Sequence, residues 1–171
     1  AALESFPKPL IAAVNGLGVG IGMTMLPHCD LVLVSEAARL RVPFASLGVT
    51  AEAGSSLLLA QRMGWQAAAH ALFTGRWIDA DEAVRQGLAY RKLAAERLLD
   101  EAHAIAAEIE EKARGAVAAH GGRTGQAIFS PRSRSKRCDC AMSQTRSIRL
   151  PTVGSESPPS RTTIIVSPTR T

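Results

Sequence analysis

The sequence predicts an α/β fold in which buried strands alternate with short helices, followed by further helices and a disordered basic tail. Three observations support this prediction. Residues 10–14 are rich in aliphatic and β-branched side chains, which is typical of a buried strand. Four glycines alternate over residues 16–22, directly before a short apolar helix that includes Met23 and Met25. Apolar residues between positions 95 and 114 recur at the spacing of one helix face.

The glycine run is a candidate binding turn. Glycine at every second position lets the backbone approach a ligand, and free N–H groups in the first turn of the next helix point at that ligand. An anion or oxyanion is the expected ligand. The same pattern is also typical of turns that only pack a helix on a sheet. Nucleotide binding fits poorly, because Ile21-Gly-Met-Thr24 replaces the end of a Walker loop and Asp30 opens the next strand instead of closing it.

Two further strands and a helix follow the glycine turn. Residues 30–34 read as the second strand, and residues 38–44 alternate as a third strand. Pro43 should end that third strand or place it at a sheet edge. A loop over residues 46–56 then leads into a helix over residues 57–63, which the next glycine stops.

Three more helices are predicted after this loop. The first spans residues 65–73 and ends near Gly75, and Asp79 and Glu82 have the spacing of a capping box for a second helix that closes at Gly87. The third is the long amphipathic helix between positions 95 and 114. Its apolar face is predicted to consist of Leu98, Leu99, Ala102, Ile105, Ala106 and Ile109.

Charge divides the chain into two parts. Residues 1–121 contain 11 Lys and Arg against 13 Asp and Glu, whereas residues 122–171 contain 9 against 2, so the net charges are −2 and +7. We therefore expect a folded domain over 1–121 and a disordered Ser-, Thr-, Arg- and Pro-rich tail over 122–171, in which only residues 162–166 keep a strand pattern. Nucleic-acid binding by the basic cluster at 132–137 is not expected, because no aromatic side chains are interleaved with it.

Cysteine usage and hydropathy indicate the cellular setting. Three cysteines, two of them in Cys138-Asp-Cys140, suit neither a disulfide framework nor a tetrahedral zinc site, so no metal is expected. No apolar run reaches the length of a membrane span, and the N-terminal segment lacks the pattern of a secretory signal. The expected setting is the reducing cytoplasm. Because the sequence lacks an initiating Met, we expect that it begins within a longer protein or has been trimmed.

Several motifs, in this order and at this spacing, carry a family resemblance. They are Lys8-Pro-Leu-Ile-Ala-Ala-Val-Asn-Gly16, the alternating Gly18, Gly20 and Gly22, Cys29-Asp30, Pro43-Phe44, Leu47-Gly48, Leu72-Phe-Thr-Gly75, and Ala83 with Gly87-Leu88. Over residues 7–93 the sequence resembles the crotonase superfamily, the enoyl-CoA hydratase/isomerase proteins. The match rests on all of these motifs together and covers roughly half of the chain.

The resemblance implies a partial crotonase-like spiral of repeated ββα units that is usually a homotrimer when intact. It implies an acyl-CoA substrate, with coenzyme A entering only as part of that substrate and no separate cofactor. In this family two backbone N–H groups hold the thioester oxygen, and the one at the glycine turn corresponds to the N–H of Ile21, with Gly20 and Gly22 shaping its approach. Such a donor stabilises the negative charge that forms on the oxygen when a neighbouring proton is removed.

Three positions distinguish the branches of the family. Hydration of an enoyl thioester requires two carboxylates, which the family places where this sequence has Thr24 and Phe44, and neither residue can act as a base. Both are instead expected to contact the substrate. Residues 42–56 resemble the 3,2-enoyl-CoA isomerase branch, whose catalytic glutamate precedes a Ser-Ser pair and corresponds to Glu52. A 1,3-proton shift between C2 and C4 needs only one such base.

Glu52 also has a structural interpretation. On position alone it is typical of an acidic first-turn residue of the helix that the following serines open. Its apolar neighbours Val49, Ala51 and Ala53 predict the opposite, because a carboxylate in such a loop has a pKa raised toward a value useful for proton transfer. With the family match, the catalytic interpretation of Glu52 is favoured.

The remaining polar candidates are assigned structural roles. His28 and His70 lie among apolar residues on predicted helices and are interpreted as core or interface histidines. Asp30 is interpreted as a cap or anchor at the start of the second strand.

Both ends of the sequence depart from the family pattern. By the resemblance, the first strands and the second oxyanion donor come from a segment that would precede Ala1, so we expect this sequence to hold one of the two donors. The match fades near His120, before the helices that build the trimer. Two alternatives to an isomerase therefore stay open. One is a non-catalytic crotonase-like module that binds acyl-CoA or a protein partner. The other is an enoyl-CoA hydratase that uses a further acid such as Glu36.

Overall fold

The computed structural model describes residues 9–120, 148–149 and 161–166. Strands and helices alternate along the described chain. The strands are β1 Leu10–Asn15, β2 Leu17–Val19, β3 Leu31–Ser35, β4 Arg39–Arg41, β5 Ile78–Asp79, β6 Arg91–Leu93, β7 Ile148–Arg149 and β8 Arg161–Val166. The α-helices are α1 Ile21–Thr24, α2 Phe44–Leu47, α3 Ser55–Met63, α4 Trp65–Thr74, α5 Ala80–Arg85 and α6 Leu98–His120. Short 3-10 helices span Leu26–His28 and Ala95–Arg97.

β1 lies at the centre of a five-stranded sheet with the order β6-β3-β1-β8-β7. β1, β3 and β6 are parallel, with Ile11 opposite Leu31 and Leu33 opposite Arg91. Because a parallel strand is buried on both faces, the uninterrupted apolar run at residues 10–14 fits this central position. A second sheet has the order β2-β4-β5 and contains Gly18 of the glycine run. The α/β prediction is confirmed.

Alternate residues of β1 face two apolar cores. Leu10, Ala12 and Val14 belong to the larger core, to which the glycine-turn helix, α3 and α4 contribute. Ile11 and Ala13 face the smaller core on the other side of the sheet. That core is completed by Leu33 and by the α6 residues Leu98, Ala102 and Ala106.

Two details differ from the prediction. β4 is shorter than the predicted third strand, because Pro43 is the N-cap residue of α2 and Phe44 is the first residue of that helix. Leu99 is 43% exposed and lies outside the apolar face of α6. The buried positions Leu98 and Ala102 are four residues apart and set the direction of that face, so the neighbouring position points away from the sheet.

The end of α4 and the start of α5 were predicted correctly from local signals. α4 ends at Thr74, and Gly75 follows in the left-handed conformation with φ +58°. The Asp79 carboxylate accepts a 2.8 Å hydrogen bond from the Glu82 N–H at the start of α5. The Glu82 carboxylate bonds instead to both terminal nitrogens of Arg76, at 2.6 and 2.7 Å. This hydrogen-bonded guanidinium lowers the pKa of Glu82.

Two short strands fall within the basic tail. β8 pairs antiparallel with the whole of β1, placing Leu10 opposite Val166, and β7 pairs with β8. At these positions the structure has strands where residues 122–171 were predicted to be disordered. β8 coincides with the β-branched segment 162–166, the part of the tail that kept a strand pattern. The prediction for the rest of the tail lies outside the described residues.

Across the described ranges, no helix combines the length and hydropathy needed to cross a membrane. The same ranges contain no cluster of three or more His, Cys, Asp and Glu side chains arranged to hold a metal ion.

Candidate active site

The glycine strand β2 lies close against β4. A Cβ atom on Gly18 would lie 2.6 Å from Cδ2 of the buried Leu40 and 3.1 Å from the carbonyl oxygen of Gly22. Gly18 is therefore a packing glycine that allows the two strands to approach. The packing interpretation of the glycine run is therefore confirmed for Gly18.

The later glycines have a different environment. Gly20 has φ +56°, a conformation that side chains rarely adopt, and its N–H donates to the Arg41 carbonyl at 2.9 Å. A Cβ on Gly22 would meet no atom within 4 Å, so the space in front of Gly22 is open to an approaching molecule. The run thus combines Gly18, which is needed for packing, with Gly20, which forms the turn, and Gly22, which leaves open space beside α1.

Ile21 is the first residue of α1. The N–H of a first helical residue has no partner within its own helix, so it is available to a ligand. The Ile21 side chain is 53% exposed, which places this end of the helix at the surface. The role of this N–H as an oxyanion donor stays a prediction.

Thr24 and Glu52 meet beside this turn. Thr24 is fully buried, and its Oγ1 hydroxyl donates a 3.0 Å hydrogen bond to Oε1 of Glu52. The bond joins α1 to the loop between α2 and α3, across 28 residues of sequence. The structure therefore brings the predicted base next to the helix that carries the predicted oxyanion donor.

The Glu52 loop ends in a tight turn. Its residues Ala53 and Gly54 have φ values of +50° and +66°, and the Ser55 N–H donates to the Glu52 carbonyl at 2.9 Å. Gly54, and not Glu52, is the N-cap residue of α3, and no side chain caps that helix. The first-turn interpretation of Glu52 therefore has no support from the hydrogen bonds of the described residues.

His28 also contacts this loop. Its Nε2 lies 2.9 Å from the Ala53 carbonyl oxygen, and the residue is half-buried. This contact was missed from the sequence, because 25 residues separate the partners and no local pattern links them. His70, in contrast, is exposed on α4.

The surroundings of Glu52 are more open than its apolar neighbours predicted. Glu52, Val49, Ala51 and Ala53 are all exposed. The expected enclosure of the carboxylate by its own loop is wrong for this chain.

Phe44 is buried, with 8% of its surface exposed, and belongs to the larger core. Its carbonyl oxygen accepts a 3.1 Å hydrogen bond from the Val49 N–H, which holds the start of the Glu52 loop. Phe44 thus holds the loop through its backbone carbonyl while its side chain is buried in the core. Its contact with substrate stays a prediction.

The anchoring role of Asp30 is confirmed. Its Oδ2 accepts a 2.8 Å hydrogen bond from the Leu10 N–H, and its own N–H donates to the Leu10 carbonyl at 2.9 Å. Asp30 therefore ties the starts of β1 and β3 together. Met23 and Met25 are buried in the larger core.

Taken together, the fold and site define an α/β protein with a glycine turn before a short helix and one carboxylate hydrogen-bonded beside it. The sequence matches the family model of enoyl-CoA hydratase/isomerase over residues 1–132. The chain belongs to this family, and its fold is the crotonase fold of that superfamily.

Relatives of known name agree with this membership. The chain is 41% identical over 102 residues to a probable enoyl-CoA hydratase of Rhizobium meliloti, covering 60% of this chain and 40% of that protein. It is 46% identical over 83 residues to enoyl-CoA delta isomerase 2 of Rattus norvegicus, covering 48% and 21%. The crystal structure of enoyl-CoA hydratase EchA8_6 from Mycobacterium marinum matches with a TM-score of 0.58 and 55% identity, covering 61% and 48%. The chain therefore spans less than half the length of these relatives.

Proposed function

We propose that this chain carries the catalytic turn and base of a 3,2-enoyl-CoA isomerase. The reaction moves a double bond of a fatty acyl-CoA from the 3- to the 2-position. The single observation that carries the proposal is the hydrogen bond from Thr24 to Glu52, which joins one carboxylate to the helix that starts at Ile21. Coenzyme A enters as part of the substrate, and the proton shift requires no other cofactor.

The proposed steps use one base. Glu52 removes a proton from C2 of the 3-enoyl thioester, and the electron pair moves to the thioester oxygen as a dienolate. The Ile21 N–H stabilises that oxygen, a contribution on the order of 3 kcal/mol for one such donor. The protonated Glu52 then returns the proton to C4, and the double bond closes between C2 and C3.

The hydrogen bond from Thr24 engages one carboxylate oxygen of Glu52 and leaves the other available for proton transfer. The Thr24 hydroxyl occupies a lone pair on Oε1, and within the described residues no hydrogen bond holds Oε2. Oε2 is therefore the oxygen that exchanges the proton with substrate. A threonine also supplies no second carboxylate, which the hydration of an enoyl thioester would require.

A hydratase is the second candidate, because relatives named as enoyl-CoA hydratases are among the matches. It would need an acid in addition to Glu52. Glu36, the acid considered for that role, lies beside β6, where its N–H donates to the Leu93 carbonyl. The pKa of Lys92 is raised mainly by its hydrogen bond to Asp81, with a smaller contribution from the charge of Glu36. Glu36 is thus held at β6, whereas Glu52 is hydrogen-bonded to Thr24 beside the glycine turn. These different surroundings of the two acids favour the isomerase.

Assembly into the family homotrimer is part of the same proposal. Trp65 and Phe73 are 74% and 75% exposed on α4, and such large exposed apolar side chains support a covered interface. Light scattering measures the mass of the assembly directly. A monomer at micromolar concentration contradicts this part of the proposal.

The test is a product analysis of the chain with two substrates. With a 3-enoyl-CoA deuterated at C2, we expect the 2-enoyl-CoA product to carry part of the label at C4, because one base moves the proton. With a 2-enoyl-CoA, we expect no 3-hydroxyacyl-CoA. Formation of the hydroxy product establishes the hydratase instead. Tight acyl-CoA binding by calorimetry without turnover of either substrate establishes the non-catalytic module.

A further inference from the structure

We propose that His28 is a positioning residue for Glu52, a role that rests on the isomerase function proposed above. The 3-10 helix Leu26–His28 directs the His28 ring at the Ala53 carbonyl oxygen, 2.9 Å from Nε2. Ala53 is the residue that follows Glu52. His28 therefore holds the backbone of the loop at the carbonyl of the residue that follows the proposed base.

The need for such a contact is visible in the backbone. Ala53 has φ +50° and is the only residue other than glycine with a positive φ in the described part of the chain. A residue with a Cβ pays a steric cost in this region, and the conformation persists only where surrounding contacts fix it. The hydrogen bond from His28 is a contact of this kind, because it holds the carbonyl of the strained residue itself.

His28 and Thr24 form two anchors from one segment. The two residues are four positions apart. Thr24 bonds to Glu52 and His28 bonds to Ala53, the next residue in the loop. Thr24 fixes a carboxylate oxygen, whereas His28 fixes the main chain that carries the carboxylate. One bond alone leaves the loop free to pivot about it, and two bonds together set both the position and the direction of Oε2.

The anchor is itself rigid. The His28 N–H donates to the Met25 carbonyl at 3.0 Å, and the Cys29 N–H donates to the Leu26 carbonyl at 2.9 Å. Pro27 is buried, lies inside both of these turns and restricts the backbone further. Because a carbonyl oxygen only accepts hydrogen bonds, the ring proton of neutral His28 must lie on Nε2.

The variants are chosen to separate positioning from folding. His28→Ala removes the donor, whereas His28→Gln keeps an N–H donor at a similar reach. His103→Ala removes an exposed histidine from α6, on the other side of the sheet, and is the matched control. Hydrogen exchange of the backbone amides in residues 49–58 reports the order of the loop without requiring any turnover.

We expect the loop amides of His28→Ala to exchange about tenfold faster than those of the wild type, and those of His28→Gln and His103→Ala to exchange at the wild-type rate. Turnover of 3-enoyl-CoA should fall about tenfold in kcat for His28→Ala with KM unchanged, and Gln should restore it. Unchanged exchange and unchanged kcat in His28→Ala overturn the proposal. Altered exchange with no turnover by any variant, the wild type included, supports the anchor and overturns the isomerase function.

A measurement on the wild-type chain covers the case in which His28→Ala does not fold. The ¹⁵N chemical shifts of the two His28 ring nitrogens near neutral pH identify the protonated nitrogen. A proton on Nε2 supports the bond to Ala53. A neutral ring with its proton on Nδ1 overturns the proposal, since Nε2 could not then donate to a carbonyl.

Discussion

The Thr24 hydroxyl donates a 3.0 Å hydrogen bond to the Glu52 carboxylate, although 28 residues separate them in sequence. Thr24 is fully buried, so its position is fixed by the core, whereas Glu52 is exposed on a loop. The buried partner therefore orients the exposed one. In the proposed isomerase, this hydrogen bond gives the base a defined direction.

Substitution of Thr24 by Val should lower kcat for the proposed isomerase reaction while leaving the fold intact. Valine has nearly the same shape but cannot donate to Glu52. A hydrogen bond to a charged group contributes about 1.5–3 kcal/mol, so the expected loss is roughly ten- to a hundredfold. Steady-state kinetics measure the effect, and Thr24→Ser, which keeps the hydroxyl, should retain most of the activity. Full activity in Thr24→Val would show that the bond has no role in turnover.

Substitution of Glu52 by Gln should nearly abolish turnover. The amide oxygen can still accept the hydrogen bond from Thr24, but the side chain can no longer take a proton, and a general base typically contributes about 10²- to 10⁴-fold. The rate of 3-enoyl-CoA conversion checks this loss, with the melting temperature as a check on folding. Glu36→Gln is the matched control and should keep the wild-type rate. Equal rates for wild type and Glu52→Gln would exclude Glu52 as the base.

Much of the fold could be predicted because its signals are local. The apolar run at residues 10–14, the glycine after α4 and the Asp79 cap each specify an element boundary within a few residues of sequence. The pairing of β8 with β1 could not be predicted in this way. It joins segments that are more than a hundred residues apart, and no local pattern encodes that register.

The candidate site was predictable in part for the same reason. Ile21 and Glu52 belong to motifs that the family resemblance identifies from sequence. The contacts that orient Glu52 depend on the left-handed turn at Ala53 and on the direction of the 3-10 helix before β3. Alanine carries no sequence signal for a positive φ, so the role of His28 became visible only in three dimensions.

The glycines at positions 18 and 22 should respond in opposite ways to alanine. Gly18→Ala should destabilise the fold by about 1–3 kcal/mol, because its Cβ would overlap Leu40 and approach the Gly22 carbonyl. Gly22→Ala should leave stability unchanged or raise it by up to about 1 kcal/mol, since its Cβ meets open space in a helix. It should nevertheless raise KM for acyl-CoA, because the methyl group enters the proposed substrate approach. Urea unfolding and kinetics measure the two effects, and equal destabilisation by both would refute this division of roles.

The Arg76–Glu82 pair should make stability depend on pH. Arg76 lowers the pKa of Glu82, so the ionised Glu82 stabilises the fold fully above pH 4.5, the ordinary glutamate pKa. This stabilisation is lost as the pH falls through the lower pKa that Glu82 has in the folded state. Glu82→Gln should therefore cost about 1 kcal/mol near neutral pH and progressively less in acid. Urea unfolding of both proteins over a pH series measures the difference. Asp81→Asn, which alters a 77% exposed carboxylate paired with Lys92, should show a much smaller effect. A cost of Glu82→Gln that is the same in acid as at neutral pH would mean that the ion pair does not stabilise α5.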